Sequence, residues 1–562
     1  MPRRTARQAC VVLAALLAAA VGGCAPPAAG PADTFGIDFA GTNPSGGRSA
    51  VVFFIDGLNA DVFDAMLRAG ELPNFRRHFV ERGLYCRRAV AGLPSVTLAD
   101  ETTFVTGLLP GHHGITGINW FDRNRLIWRN YETIAQKNTL DDDYNAPTIY
   151  EQFPYRTTFS LFFQAHRGAT KFVENWTSAG PPYLFGFYEY IDRLSLFRFH
   201  ILTDVARVRR EFPAVTICYL LAPDQRSYQQ GPDSEAYRES IRQADRQIGR
   251  VLGDMRRGGV YDDLVIGLVS DHGHTGVERH FSLEDFLANV GLDIAPAHLW
   301  ENTKFEDRLS YYRRYSCVLY GSGDRYWAIC LRKPLPQQDA TPASWAAWPV
   351  RPDANDLRHY PTTKTTGGIF ERRVVHGTVD LIDALAAQEA VDVVTYAAGT
   401  NRVRVRRRTG EVEFAQPAGP GGAISCRVLD GNDPLGYRGK VPADVLAGRP
   451  LGQRQWLEAT KDAAYPDLPA QILAYFRSRR AGDIAVFAAA GWDFGNVHRG
   501  GHGGLSPADM FTPLLLAGPG VPHATLPVAR TADTMPTLLR LLGRPAPPGL
   551  DGQSLVDPAR KQ

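Results

Sequence analysis

Past its first two dozen residues the sequence has no apolar run long enough to cross a bilayer, so no helical membrane-spanning body is expected. An excess of one charge is also missing. Sixty-two Lys and Arg stand against 59 Asp and Glu, a formal net charge of +3, and the basic residues are dispersed. The densest basic run, RVRVRRR at 402–408, alternates as a strand does. It reads as a solvated strand face, and no nucleic-acid partner is expected. Cysteine is scarce. Past Cys24 only Cys86, Cys218, Cys317, Cys330 and Cys426 remain, an odd number at irregular spacing, which is no disulfide framework even in an oxidising compartment. Cys317 and Cys330 flank the hairpin-like turn GSGD (321–324) without being directly opposed, and Cys218 reads as core. No internal repeat is evident.

The N-terminus is informative. Arg3, Arg4 and Arg7 precede VVLAALLAAAV, and GGC follows at 22–24. A charged segment followed by a short apolar one reads as a secretory signal over 1–23. VGGC resembles a bacterial lipobox, which implies cleavage before Cys24 and lipidation of its thiol. The low-complexity stretch APPAAGPAD then starts a tether over 24–48. The expected product is an exported protein of the bacterial cell envelope, held to the membrane through a lipid anchor at Cys24.

From residue 49 short apolar runs alternate with helical patterns. SAVVFFID (49–56), TICYLL (216–221) and DDLVIGLVSD (262–271) read as buried strands, and 234–259 reads as a long amphipathic helix. PDQRSYQQGPDS (223–234) reads as a polar, glycine-bearing loop after a strand that ends at Asp224. Strand–helix alternation predicts an α/β fold with a mostly parallel sheet sandwiched between helices. Between 296 and 465 the texture changes to Trp, Pro and short alternating strands, read as an inserted α+β cap. The α/β core therefore comprises 49–295 and 466–562, its closing part containing the strand DIAVFAAAG (483–491).

In open α/β sheets, active groups collect at the carboxyl ends of strands. Here Asp56, Asp224, Asp271 with His272 and His274, and the late His498 and His502 all lie at or just past strand ends. Singly each has an ordinary reading as a turn or a satisfied polar residue. Together they offer the carboxylates and imidazoles that zinc-like divalent ions take from separated chain segments. A second component is GLPSVTLADETTFVTGLLPGHHGI (92–115), where Thr97 opens a helical pattern. Threonine there is an ordinary N-cap. It is also a candidate nucleophile, because a helix N-terminus favours anions and a metal lowers the pKa of a hydroxyl.

With these residues in place the chain resembles the alkaline phosphatase superfamily, in particular its nucleotide pyrophosphatase/phosphodiesterase branch. Pro94, Thr97, Thr106-Gly107 and the run Pro110 to Ile115 fit that family's nucleophile motif. Ser270 to Gly273 match S-D-H-G, His502-Gly503 the late H-G, and GLDGQSL (549–555) the C-terminal signature. The resemblance implies an alkaline phosphatase-like fold over 49–295 and 466–555. It also implies two divalent metal ions, usually zinc, about 4 Å apart. One would be held by Asp56, Thr97, Asp271 and His272, the other by Asp224, the residue at 228 and His502. Thr97 would attack phosphorus in line and form a phosphothreonine intermediate.

Two departures fall in this site. The family's P-D-x-x-G-H reads P-D-Q-R-S-Y here, so Tyr228 stands where a ligand histidine is expected. Asp100 stands where the branch has asparagine, whose amide donates to the phosphate. An ionised aspartate only accepts. Three readings of Tyr228 follow. Its phenolate binds a harder ion such as iron; His274, His498 or water fills the place; or the second site is empty. The leading expectation is hydrolysis of small-molecule phosphodiester or pyrophosphate bonds. The alternatives are a phosphomonoesterase, or a weak or inactive pseudo-hydrolase that binds a phosphorylated ligand. A sulfatase is disfavoured, since Thr97 is not a residue converted to formylglycine.

Overall fold

The structure is a computed structural model describing residues 37, 47–133, 136, 139–174, 176–209, 211–297, 303–334, 348–366, 373–419 and 421–556. The expected signal peptide, Cys24 and nearly all of the tether lie outside the described residues.

Apolar strands without polar alternation must be covered on both faces, and the first strand shows how. In Ser49–Ile55, Ala50, Val52 and Phe54 join one core cluster. Val51, Phe53 and Ile55 join another. Phe104 and Val105, from the helix Thr97–Thr106, and Leu538 and Leu539, from Thr534–Leu541, cover the first face. Phe63, Leu202, Ile241 and Ile248 cover the second, from the helices Ala60–Arg68, Tyr188–Arg209 and Glu235–Arg257. The central sheet has nine strands. Eight run in the order Ala524–Leu526, Gly83–Val90, Phe511–Ala517, Leu264–Val269, Ser49–Ile55, Val215–Leu220, Thr158–Leu161, Lys171–Val173, and Ala529–Arg530 also pairs with Gly83–Val90. Pairing is parallel except at Phe511–Ala517, which is antiparallel to both neighbours. The expected α/β sandwich is the observed one.

A second sheet of eight strands is antiparallel apart from its first pair. It runs Ile294–Ala295, Cys317–Ser322, Tyr326–Leu331, Ile484–Ala488, Val391–Ala397, Arg402–Arg407, Gly410–Ala415, Ser425–Gly431. Ile484–Ala488, read from sequence as part of the closing α/β core, pairs here instead, between Tyr326–Leu331 and Val391–Ala397. An uninterrupted apolar run such as IAVFA fixes burial but not which sheet receives it. The basic run behaves as a half-solvated strand. Val403 and Val405 are buried. Arg402 and Arg404 pair with Glu413, and Arg406 pairs with Asp383 and Asp430. Opposite Val318 lies Cys330, and opposite Cys317 lies Leu331; both thiols are free and buried.

PDQRSYQQ is not a loop. Ala222–Gln230 is a helix with Pro223 in its first turn. Its start is held by the Asp192 carboxylate, which accepts from the backbone N–H groups of Leu221 (2.8 Å) and Ala222 (3.2 Å). The cap lies 29 residues upstream of Leu221, so the local sequence does not reveal it. Gly231, at φ +89°, ends the helix. Between the strands Cys317–Ser322 and Tyr326–Leu331, the hairpin tip reaches the central site. The Gly323 carbonyl accepts from His502 N–H at 2.7 Å, and Arg325 N–H donates back to the His502 carbonyl at 3.1 Å. Among the described residues no helix is long and apolar enough to cross a membrane.

Candidate active site

Asp56 follows the last residue of the strand Ser49–Ile55, and Gly57 turns the chain away at φ +70°. A Cβ on Gly57 would lie 2.7 Å from the Asp224 Cα and 3.0 Å from His274 Nε2, so glycine lets three strand ends converge. Asp271 Oδ1 accepts from the N–H groups of Gly57 (3.1 Å) and His272 (2.9 Å). Asp56 Oδ2 accepts from the Tyr219 hydroxyl. Each carboxylate is left with one buried oxygen that has no partner, Asp56 Oδ1 and Asp271 Oδ2. His272 Nε2 lies 3.4 Å from both. The Nδ1 of that ring is 3.2 Å from the Gly273 carbonyl, which can only accept. The proton is therefore on Nδ1, and the Nε2 lone pair faces the two carboxylates.

Thr97 completes this set. Val96 occupies the N-cap position of the helix Thr97–Thr106 and makes no side-chain cap. The Thr97 hydroxyl is thus not used as a cap, and it lies 3.2 Å from His272 Nε2. The far end of the helix is clasped by the C-terminal segment. Gly107, in the left-handed region at φ +68°, presents its carbonyl to the N–H groups of Asp551 (3.1 Å) and Gly552 (3.0 Å). The Asp551 carboxylate accepts from Leu109 N–H (2.8 Å) and pairs with His112 Nδ1 (2.7 Å). His113 sits behind the helix, with Nε2 3.0 Å from the Thr103 hydroxyl and Nδ1 accepting from Ile115 N–H at 3.2 Å. Through these contacts both histidines brace the helix Thr97–Thr106 and the turn that follows it.

Burial dominates the electrostatics. It raises the carboxyl of Asp56 well above its ordinary range, helped by the charges of Asp224 and Asp271. It raises Asp271 to about 6 and lowers His272 to about 3. Two carboxylates with open oxygens beside a neutral imidazole form a site that a divalent cation would fit. Asp56, Asp271 and His272 also meet the spacing for one ion, with ligand atoms within 4.8 Å of one another.

The remaining predicted residues lie beside it. Asp224, His272, His274 and His502 also bring ligand atoms within 4.8 Å of one another, and the His272 and His502 rings stack at 3.5 Å between centroids. Tyr228 is half-buried, its hydroxyl 2.7 Å from His502 Nε2, and desolvation followed by the Asp224 charge holds that hydroxyl well above its ordinary pKa. Of the two histidines offered as substitutes, His274 reaches Asp224 Oδ1 at 2.7 Å. His498 instead pairs with Asp324 at 2.6 Å. Asp100 is fully buried and turned towards Gly92, whose N–H donates to Oδ1 at 2.5 Å; burial raises its carboxyl well above the ordinary range. Sequence reasoning missed Tyr219. It lies in an apolar strand, and nothing in TICYLL tells which face meets Asp56.

A mostly parallel sheet between helices, with Asp and His at its strand ends and a threonine-led helix beneath them, defines an alkaline phosphatase-like fold. Human and murine ectonucleotide pyrophosphatase/phosphodiesterase 5 share it. Their TM-scores are 0.53 and 0.52, at 15% and 14% identity, covering 90% and 89% of this chain and 97% and 96% of theirs. A further murine structure of that protein is an inactive variant in complex with AMP. An uncharacterized pyrophosphatase/phosphodiesterase of Schizosaccharomyces pombe is 24% identical over 229 residues, which span 40% of this chain and 44% of that relative's length. The family model for type I phosphodiesterase / nucleotide pyrophosphatase matches residues 50–327.

Proposed function

We propose that the chain is a metal-dependent phosphoric ester hydrolase that cleaves phosphodiester or pyrophosphate bonds of small molecules through Thr97. The observation that carries this reading is the Thr97 hydroxyl. It stands at a helix N-terminus, unused as a cap and 3.2 Å from His272, beside two carboxylate oxygens without partners. Asp56, Asp271, His272 and Thr97 would hold a divalent cation, zinc by the chemistry of this donor set, which would lower the hydroxyl pKa and offset phosphoryl charge. The first-turn N–H groups of the helix Thr97–Thr106 face the incoming phosphoryl oxygens. The Thr97 oxygen forms the bond to phosphorus as the bond to the leaving oxygen breaks. Water then cleaves the phosphothreonine and frees Thr97. Tyr219 holds one Asp56 oxygen, so the other stays aimed inward. The AMP held by the murine relative supports a nucleotide ester as substrate. The lipid anchor at Cys24 and an envelope location complete the proposal, resting on the lipobox-like VGGC.

The test is an assay on nitrophenyl phosphate mono- and diesters and on a dinucleotide pyrophosphate, with acid quenching and peptide mapping. A phosphorylated Thr97 peptide is expected during turnover, and Thr97→Ala should lower turnover by on the order of 10^4. Unchanged turnover in Thr97→Ala would refute the covalent route. No turnover of any of these substrates with zinc, manganese or iron would favour the binding-only alternative.

A further inference from the structure

We infer that the chain holds one cation rather than the two its relatives' motif implies, because a closed hydrogen-bond cluster stands in the place of the second. This rests on the proposed hydrolysis at Thr97 and concerns Asp224, Tyr228, His274 and His502. In the first set, Asp56 Oδ1 and Asp271 Oδ2 are buried and unpartnered, and the His272 lone pair faces them. In the second set Asp224 and His502 are already hydrogen-bonded. Asp224 Oδ1 accepts from His274 Nε2 at 2.7 Å, and Oδ2 accepts from Gln225 Nε2 at 2.9 Å. A carboxylate only accepts, so the His274 proton is on Nε2, and that nitrogen offers no lone pair to a metal. His502 Nδ1 is 2.8 Å from the Ser95 carbonyl, which fixes its proton there and leaves the Nε2 lone pair inward. The Tyr228 hydroxyl, at 2.7 Å, donates to that lone pair. Side chains that would bind a metal through Asp224, an imidazole at 228 and His502 thus bind one another. The ligand atoms of Asp224, His272, His274 and His502 lie close enough for one ion, yet both Asp224 oxygens and His502 Nε2 already have partners, and of the second set only His274 Nδ1 is left without one.

The two changes from the expected pattern belong together. Tyr228 removes a ligand and supplies an O–H that occupies a second one, His502. His274 supplies an N–H that stands against the Asp224 charge where a cation would. Asp224, His274 and His502 are buried, and Tyr228 is half-buried. The leaving oxygen of a bound ester then lacks a second Lewis acid. Departure should depend steeply on leaving-group acidity, which favours phosphoanhydrides and aryl esters over simple alkyl esters.

The experiment counts metal. The purified full chain is equilibrated with Zn2+, desalted and analysed by inductively coupled plasma mass spectrometry, with a Co2+ titration read from its visible spectrum. One equivalent is expected for the wild type, none for Asp271→Asn, and one still for His274→Ala and His502→Ala. Tyr228→His is expected to raise the count to two; should that variant fail to fold, the His502→Ala count still decides. Two equivalents in the wild type, falling to one in His274→Ala or His502→Ala with an unchanged melting curve, would overturn the inference and leave the Thr97 mechanism standing. A Tyr228→His protein that folds and still binds one would overturn the role given to Tyr228. No bound metal in the wild type would overturn both the inference and the proposed function.

Discussion

Removing the cation should make the protein's stability depend on pH through Asp271. In the metal-free protein burial raises this carboxyl from 3.8 to about 6. At about 1.4 kcal/mol per pH unit, that rise amounts to about 3 kcal/mol. The sign follows from linkage. A group whose folded pKa lies above its unfolded value favours the folded state only while protonated there. The metal-free wild type is therefore spared the cost below about pH 4, loses stability as pH rises through 6, and carries the full ~3 kcal/mol near neutrality. Asp271→Asn replaces the titrating oxygen with a neutral amide and should remove this dependence. The assay is urea or thermal unfolding of both metal-free proteins between about pH 4 and pH 7.5, followed by reloading with zinc. The wild type should fall relative to the variant by several degrees in melting temperature across that window. Zinc should restore the wild type near neutrality and leave the variant unmoved. Parallel curves for the two metal-free proteins would refute the reasoning, because the open oxygens of Asp56 and Asp271 would then not carry the cost assigned to them.

Burial raises the Asp100 carboxyl well above its ordinary range, so the ratio of Asp100→Asn to wild-type kcat/KM should change with pH. As pH rises the variant should gain on the order of tenfold, because only the wild type acquires a charge in the first turn of the helix that carries Thr97; a ratio constant with pH would show that Asp100 does not sense the substrate. Burial, then the charge of His112, lowers His113 to about 3, against 6.5 unfolded. Its contribution is complete above pH 6.5 and is lost as pH falls towards 3, at most about 5 kcal/mol. His113→Gln should flatten the acid limb of the unfolding curve, and an unchanged limb would place acid sensitivity elsewhere.

Residues whose chemistry is tied to a strand end were legible. Asp56, Asp271 and His272 lie at the ends of runs too apolar to be anything but buried strands, and the structure brings them together around Thr97. The departure at Tyr228 was legible only as a question, since a phenol could bind a metal, vacate the site or close it. Geometry narrows this, because the hydroxyl meets the one lone pair that Ser95 leaves facing inward on His502. What stayed hidden depends on distant partners. The helix Ala222–Gln230 is capped by Asp192, and Asp56 is held by Tyr219 from a strand covered on both faces. The strand Ile484–Ala488 carries no polar residue to say which sheet it joins. The hairpin tip at Gly323 grips His502, although the surrounding segment read as a peripheral cap.

The clasp between Asp551 and the nucleophile helix sets the order of events in the life of the chain. Leu109 and the aspartate that receives its N–H are 442 residues apart. His502 and the hairpin that grips it are also made long after Thr97. A ribosome that has made Thr97 has made neither its clasp nor half of its surroundings, so the proposed site can be complete only once the chain through Asp551 and Gly552 has been made. Loss of the segment around Asp551 and Gly552 would then loosen the helix that carries Thr97.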